Sequence, residues 1–525
     1  MKKVFLFLMF TSLVLGLFIG FREYMLSKEN NMEILEPEVM DENYIGELKL
    51  PIIEIDNLNP LFTKNRQVSN TLGLIYEPLI ALDNSNKLEA TLATEWMEKD
   101  NLNWIIKLRE NVKWHSEKIF SAEDVKFTID TIINNNDSVY YENVKNIANV
   151  EIIDENTISI NLKEKDNFLP YKLIFPIVPK YYLFEDINNT EKLKKPIGTG
   201  AYKFSELTDD EHRMTLIFND KWWNTKNNIK LKTIYVYKYA TYGEAIKAFK
   251  SAEIDLISTS MSSWQKKFGV IGINSYIYEN SKFETLIPNS QKPALSESSV
   301  RRAILHAINR NNIIDKVYEG NASVKDIMIH EYSWLYDKNS NIDYNPEKSK
   351  QLLINAGWLQ DDKGWHKNIN GKNIKLNFEI LLNDSNAEKI KVAEMIKENL
   401  GDIGINITIK KVKANIYNTN INEGKFDLAL ATIELQNEYD IIDLLKNKNY
   451  SKYQNVEMDS LLNSLYISNI SIIEEFKNLQ TKYRSEIPYI GLYFKTDTLL
   501  TNKAVKGQIT PTWYNVYHNI HTWCK

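Results

Sequence analysis

Apolar and polar positions along this chain follow two periods. In "LNWIIKLRENVKW" (102–114) they alternate, which predicts a strand. In "NVEIIDENTISINLKE" (149–164) two alternating runs flank Asp154-Glu155-Asn156, which predicts a hairpin. In "SSVRRAILHAINRNNIIDKVYEG" (298–320) Val300, Ile304, Ala307 and Ile308 recur at helical spacing. A single helix is expected there, capped by Ser299 and stopped at Gly320. "YNPEKSKQLLINAGW" (344–358) predicts a second, with Asn345 as cap, Pro346 in the first turn and Gly357 as stop. Further on, Asn370-Gly371 suits a tight hairpin turn, 387–400 reads as helix and "GINITIKKV" as strand. Strand–helix–strand order implies an α/β lobe with a partly parallel sheet; the hairpin-rich regions around it make the whole mixed α and β.

The chain has 525 residues, more than one core usually serves, so two or more lobes are expected. Hydrophobic residues are 43%, charged residues 25% and the net charge is −5, with the signs interspersed. No basic run or tail points to nucleic acid. The single cysteine, Cys524, excludes an intrachain disulfide and a cysteine-rich metal site.

Lys2 and Lys3 precede an uncharged run at 4–21. As a helix it would span roughly 27 Å, close to a hydrocarbon core, and its positive flank places the start inside. No alanine precedes Ala81 and no cysteine follows the run. The expectation is an uncleaved signal anchor at 1–23, a tether at 24–46 and an extracytoplasmic bulk, with secretion after signal cleavage as the alternative.

"VKWHSEKIFSAEDVKFTIDTI" (112–132) sets His115, Ser116 and Glu117 side by side. A catalytic triad converges from distant parts of a chain, and three neighbours in a turn diverge. Ser121 stands three residues before Asp124 ahead of an apolar helical stripe, which is a capped helix start. The stretch is therefore read as strand, turn and capped helix. His518, His521 and Cys524 lie three apart, but "WYNVYHNIHTW" reads as extended, which separates the histidines. Arg301-Arg302 has the look of an anion site, with pairing to a carboxylate the plainer reading. No Walker loop, dinucleotide fingerprint or His-Glu-x-x-His occurs, and no cofactor, metal or catalytic residue is expected.

"LATEWMEKDNLNWIIKLRENVKWHSEKIFSAEDVKFTIDTI" resembles the signature block of the extracytoplasmic solute-binding proteins of peptide ABC transporters, bacterial solute-binding family 5. "PIGTGAYKF", "AIKAFKSAEIDLI", "VRRAILHAINRNNIID", "YNPEKSKQLLINAGW", "GINITIKKV" and "GKFDLAL" follow in that family's order, so the resemblance covers roughly 50–525.

The resemblance implies a two-lobed periplasmic-binding-protein-like α/β fold with mixed sheets. Lobe I would be 47–285 plus 486–525 with an extra subdomain at 81–190, lobe II would be 286–485, and the hinges would lie near 287–293 and 485–491. It implies a monomer that closes on a peptide or peptide-like solute and delivers it to a membrane permease. In such relatives the ligand lies as an added strand. The matching segments here are 64–68, with Asn65, Arg66 and Gln67, and 430–435, with Ala431, Thr432, Ile433 and Glu434; both have an extended look. The family's aspartate for the ligand ammonium is matched by Gln436, with Glu434, Glu438 and Asp440 as nearby acids. Trp513 and Tyr514 would border the cleft. A second reading is a degenerate homologue serving as a sensor or as an accessory or immunity protein of a peptide-export system. An enzyme is the third.

Overall fold

Two long strands carry the architecture. Ile273–Pro288 runs for 16 residues and Ile490–Asn502 for 13, paired antiparallel. The computed structural model describes residues 46–181, 195–208, 210, 212–224, 229–338, 341–435, 437, 439–467 and 472–525. The anchor expected at 1–23 and the tether as far as 45 lie outside them; among the described residues no helix is long and apolar enough to cross a membrane.

The long strands form the middle of a seven-stranded mixed sheet. Leu256–Thr259 extends it beside Ile490–Asn502. On the other side Leu428–Glu434 pairs with Ile273–Pro288, followed by the parallel strands Asn377–Asn383 and Asn406–Val412. Helix Ala387–Asp402 joins those two, the strand–helix–strand unit expected from sequence. A four-stranded sheet holds Gly46–Ile52 parallel to Leu231–Lys238, then Arg213–Phe218 and Tyr202–Leu207 antiparallel. A second, wholly antiparallel four-stranded sheet contains Asn103–Leu108 and the hairpin Ile147–Asp154/Thr157–Leu162, as the alternation predicts.

The long ladder slips twice, by one residue between Glu284 and Thr285, where Leu492 is skipped, and more widely after Glu279. Glu279 faces Thr496 and the next pair is Phe283 with Phe494, so Asn280, Ser281 and Lys282 stand against Lys495 alone. Such a bulge bends its strand and re-aims the side chains. The buried core changes at the same level. Tyr278 and Leu499 belong to a core built from residues 48–236 and the C-terminal segment. Phe283 and Phe494 belong to a second core with Tyr439 and Phe476, and Leu286 and Leu492 to a third with Ile304 and Ile396. Phe168, which follows the second four-stranded sheet, reaches across and stacks on Tyr439 with ring centroids 4.9 Å apart.

The helix expected over 298–320 is two, Ser298–Ala307 and Arg310–Tyr318. Ile308 is extended, and the Asn309 side chain accepts from Asn312 N at 3.0 Å, which starts a new helix. An asparagine that bonds the following backbone competes with continued helix. Position 297, not Ser299, precedes the first helix. Helix Pro346–Asn355 starts at Asn345 as expected. Asn370 and Gly371 both have positive φ, 51° and 79°, which their hairpin turn requires.

His115 is scaffold. Its Nδ1 accepts from Gly198 N at 3.2 Å and its Nε2–H donates to Gly200 O at 3.0 Å, so both nitrogens are satisfied in the neutral ring. Burial pushes its pKa down to about 4. Gly198 and Gly200 lie against the backbone of Ile75, where an added Cβ would fall 1.8 Å and 2.8 Å from its carbonyl oxygen. Ser121 N donates to the Asp124 carboxylate at 3.1 Å at the start of Ala122–Ile133, and the same carboxylate takes Trp114 Nε1 at 3.1 Å.

Candidate functional site

The strand Leu428–Glu434 is paired throughout on one side, from Glu434 opposite Lys282 to Leu428 opposite Pro288. On the other it meets Asn377–Asn383 only through Leu428 and Ala429. Beyond them, among the described residues, it has an open edge. Leu435 N donates to Ser281 O at 2.9 Å, which places 435 in a hydrogen-bonded pair. Antiparallel pairs alternate, so Ile433 and Ala431 also bond inward, and the N–H and C=O of Thr432 and Glu434 point outward. Two contacts agree. Leu430 O, on the outward side, accepts from Tyr417 OH at 2.9 Å. Thr432, whose pair leaves side chains close, donates its hydroxyl to Glu284 Oε1 at 2.6 Å. Glu284 is fully buried, with Lys389 Nζ at 3.4 Å and Lys495 Nζ at 3.5 Å. Paired this way, a buried carboxylate is sustained; stripped of partners it would be costly. Glu434 is exposed and, among the described residues, accepts from Ser281 Oγ alone, at 3.5 Å.

The bulge supplies polar groups beside that edge. Asn280 donates through Nδ2 to Asp497 Oδ1 at 2.9 Å, and its Oδ1 accepts from Lys282 N at 2.9 Å. Burial raises the Asp497 carboxyl, against the Asn280 bond and the positive charges of Arg66 and Lys282. Tyr278 OH lies 3.2 Å from Ser258 Oγ, and burial raises its pKa. The exposed Arg66 guanidinium acts electrostatically on both Asp497 and Tyr278. A cavity of about 460 Å³ adjoins it, lined by Asn84, Tyr278, Glu279, Glu331, Lys338 and Thr512 among others.

The segment 64–68 is not the strand its sequence resembles. Arg66–Leu72 is a helix with Asn65 as N-cap, its Oδ1 accepting from Gln67 N at 2.9 Å and Val68 N at 3.5 Å. The Asp56 carboxylate accepts from Lys64 N at 2.7 Å, Asn65 N at 3.1 Å and Thr63 Oγ1 at 2.7 Å. Burial opposes these bonds, yet together they hold the Asp56 carboxyl below its ordinary value. Gln67 Oε1 is taken by Ile53 N at 2.9 Å. Arg66 is left to act on the bulge through its charge.

Trp513 is 5% exposed and lies parallel to His330, with centroids 5.9 Å apart. The Tyr514 hydroxyl donates to Leu82 O. Their neighbours 510–512, rather than the aromatic pair, line the cavity. The extended reading of 513–523 is corrected: the segment is turns ending in a 3-10 helix, Ile520–Thr522, after Asn519 at φ 57°. His521 rests on Trp222 and His518 Nδ1 lies 3.3 Å from Thr510 Oγ1. Among the described residues no group of three or more His, Cys, Asp or Glu side chains could hold a metal ion. Gln436 and Glu438 lie outside the described residues; Asp440 begins the short helix Asp440–Asp443.

The structure thus bonds Thr432 to Glu284 and Glu434 to Ser281 beside the bulge, with the charge of Arg66 felt at Asp497 and Tyr278. Sequence reading missed Tyr278, Asn280, His330 and Asp497. His330 is 1% exposed and its Nε2–H donates to Asn280 O at 3.1 Å. Asp497 carried a signal, a lone acid within the apolar run of "YIGLYFKTDTLLTN".

Two lobes joined by paired strands, with an open sheet edge at the junction, define a solute-binding protein. The model of bacterial extracellular solute-binding proteins, family 5 (middle region), matches residues 87–438, and the chain belongs to that family. The oligopeptide-binding protein AppA of Bacillus subtilis is 25% identical over 497 residues, 89% of each chain. The nickel-binding periplasmic protein of Escherichia coli is 24% identical over 398 residues, 72% of this chain and 73% of that one. The solved unliganded open form of MppA, a periplasmic murein tripeptide binding protein, superposes with a TM-score of 0.80 at 19% identity, covering 91% of this chain and 97% of that one. At that identity the likeness speaks to the fold.

Proposed function

We propose that this protein captures a peptide or peptide-like solute at the bulge, holds it as a strand added to the edge at Thr432 and Glu434, and hands it to an ABC permease. The outward N–H and C=O groups of Thr432 and Glu434 carry this reading, because an extended peptide completes such an edge whatever its side chains. The oligopeptide-binding relative supports it; the nickel-binding relative has no counterpart argument in the site's donor set. With Gln436 where the family has aspartate, Glu434 is the proposed partner for the ligand ammonium and Asp497 the second carboxylate within the site. We place the pivot between the lobes at the bulge, between Tyr278 and Phe283 and between Phe494 and Leu499, rather than at 287–293 and 485–491. We also propose that residues 1–23 stay on the mature chain as its anchor, and that it acts as a monomer.

The test is calorimetric titration of the purified protein with a pool of short peptides, paired with mass spectrometry of whatever co-purifies. Saturable peptide binding that weakens roughly tenfold or more in Glu434→Pro supports the reading. Binding of a non-peptide ligand alone, or equal peptide binding by the variant, overturns it. The intact mass of the native chain tests the anchor: a start beyond Gly20 removes it.

A further inference from the structure

A second pocket, of about 410 Å³, opens on lobe II between helix Ser298–Ala307, the start of helix Pro346–Asn355 and the end of helix Ile472–Glu486. Arg302, Lys348 and Arg484 line it, and Asp343 is the one carboxylate in its lining. No residue of the cleft contributes to it.

The adjacent arginines of the first helix have different fates. Arg301 is fully buried and donates to the backbone carbonyls of Leu295 at 2.7 Å, Ser296 at 2.9 Å, Glu486 at 2.9 Å and Ile487 at 3.0 Å. It thereby neutralises the negative end of helix Ile472–Glu486. Arg302 makes no hydrogen bond or ion pair among the described residues, and its Nε is buried without an acceptor. A desolvated guanidinium nitrogen in that state favours an acceptor from outside. Arg484 is already committed to Asp326, Nε to Oδ2 at 2.8 Å.

His306 completes the wall. It is 3% exposed, and its Nδ1–H donates to the Asp343 carbonyl at 2.8 Å, which leaves Nε2 with no partner among the described residues. Burial holds its pKa below the ordinary histidine value, and Lys348, Arg302 and Arg310 press in the same direction against the Asp343 carbonyl. One buried ring thus senses three cations from three helices. Lys348 also sits in the first turn of Pro346–Asn355, whose positive end adds to the field.

We infer that this pocket is an oxyanion site, which takes a phosphate-class anion, free or as a phosphorylated head group, between Arg302, Lys348 and the His306 ring. Arginine offers the planar fork and lysine the point charge. The helix start adds no set of free amides, since Pro346 has no N–H and those of Lys348 and Ser349 belong to Asn345. The Asp343 carboxylate limits affinity rather than aiding it.

Calorimetry of the full-length protein with sodium phosphate, against sodium chloride at matched ionic strength, tests the site. A second arm uses phosphatidylcholine vesicles with and without phosphatidic acid. Saturable binding in either arm is expected, free phosphate or head group being assigned by which one responds. Arg302→Gln and Lys348→Gln should each weaken it by about tenfold, and Asp343→Asn should tighten it. The His306 ring resonance, assigned with His306→Gln, should titrate at higher pH when the anion is bound. Arg302→Gln should melt as the parent does and keep the parent's peptide binding. No saturable binding in either arm, or binding indifferent to both charge removals in folded variants, overturns the inference.

Discussion

Two segments with the same extended look, 64–68 and 430–435, meet opposite fates. In the second, pairing on one side only leaves the outward amides and carbonyls of Thr432 and Glu434 open. In the first, the amides of Lys64 and Asn65 belong to Asp56, and those of Gln67 and Val68 to Asn65. A stretch of backbone reads a ligand only where its own side chains have not already bonded it. In the proposed site one wall would therefore offer main chain, and the other the Arg66 guanidinium.

Proline scanning should break this comparison most sharply. Ile433→Pro removes an inward ladder bond and should destabilise the protein by about 3 kcal/mol or more, measured by urea unfolding. Glu434→Pro removes an outward N–H and the carboxylate proposed for the ligand ammonium but no inward ladder bond, so the melting point should hold while peptide affinity falls by about 1.4–2.8 kcal/mol, roughly tenfold to a hundredfold. If both variants lose stability alike, the alternation assigned to this edge is wrong.

Loss of a scaffold group should move stability and leave binding alone. His115 has a folded pKa of about 4 against 6.5 in the open chain. A depressed histidine contributes stability that is fully present above 6.5 and declines as pH falls to about 4, where the difference reaches about 3 kcal/mol. His115→Gln should flatten that slope in unfolding curves taken across the same range, with peptide affinity at neutral pH unchanged.

Asp56→Ala should cost about 2–3 kcal/mol of stability by releasing the amides of Lys64 and Asn65. With its folded pKa below the ordinary 3.8, Asp56 stabilises above that value and ceases to as pH falls through the lower folded one. Hydrogen exchange at Lys64 and Asn65 should speed in the variant; unchanged protection would show that the carboxylate does not hold them. The smallest effect is expected from Arg66→Ala, an exposed side chain, at about 1 kcal/mol or less of peptide affinity. A larger loss would mean that both walls carry equal weight.

Much of the fold was legible because alternation, caps and turn residues agree with tertiary packing. Asn345 and Asn370-Gly371 behave as their chemistry demands. The reading failed where one side chain reached the backbone against the surrounding pattern: Asn309 split a helix that apolar spacing had joined, and Asn65 with Asp56 turned a strand-like run into a helix start. In the site, Thr432 and Glu434 were found through the family likeness, but not the reason they matter, since an open edge depends on which strand stops pairing and where. Glu284 gave no signal at all: a glutamate in a strand reads as exposed, and Thr432, Lys389 and Lys495, from distant parts of the chain, make its burial tolerable.

The bulge at Asn280–Lys282 has a mechanical meaning. Flexible threads would let two bodies swing and twist freely. Here the lobes are joined by two ribbons cross-linked edge to edge, which resist shear and torsion but flex readily out of their plane. With the pivot proposed here, movement of one lobe toward the other would be steered along a single arc, and the extra residues on one ribbon would provide the slack that such bending takes up.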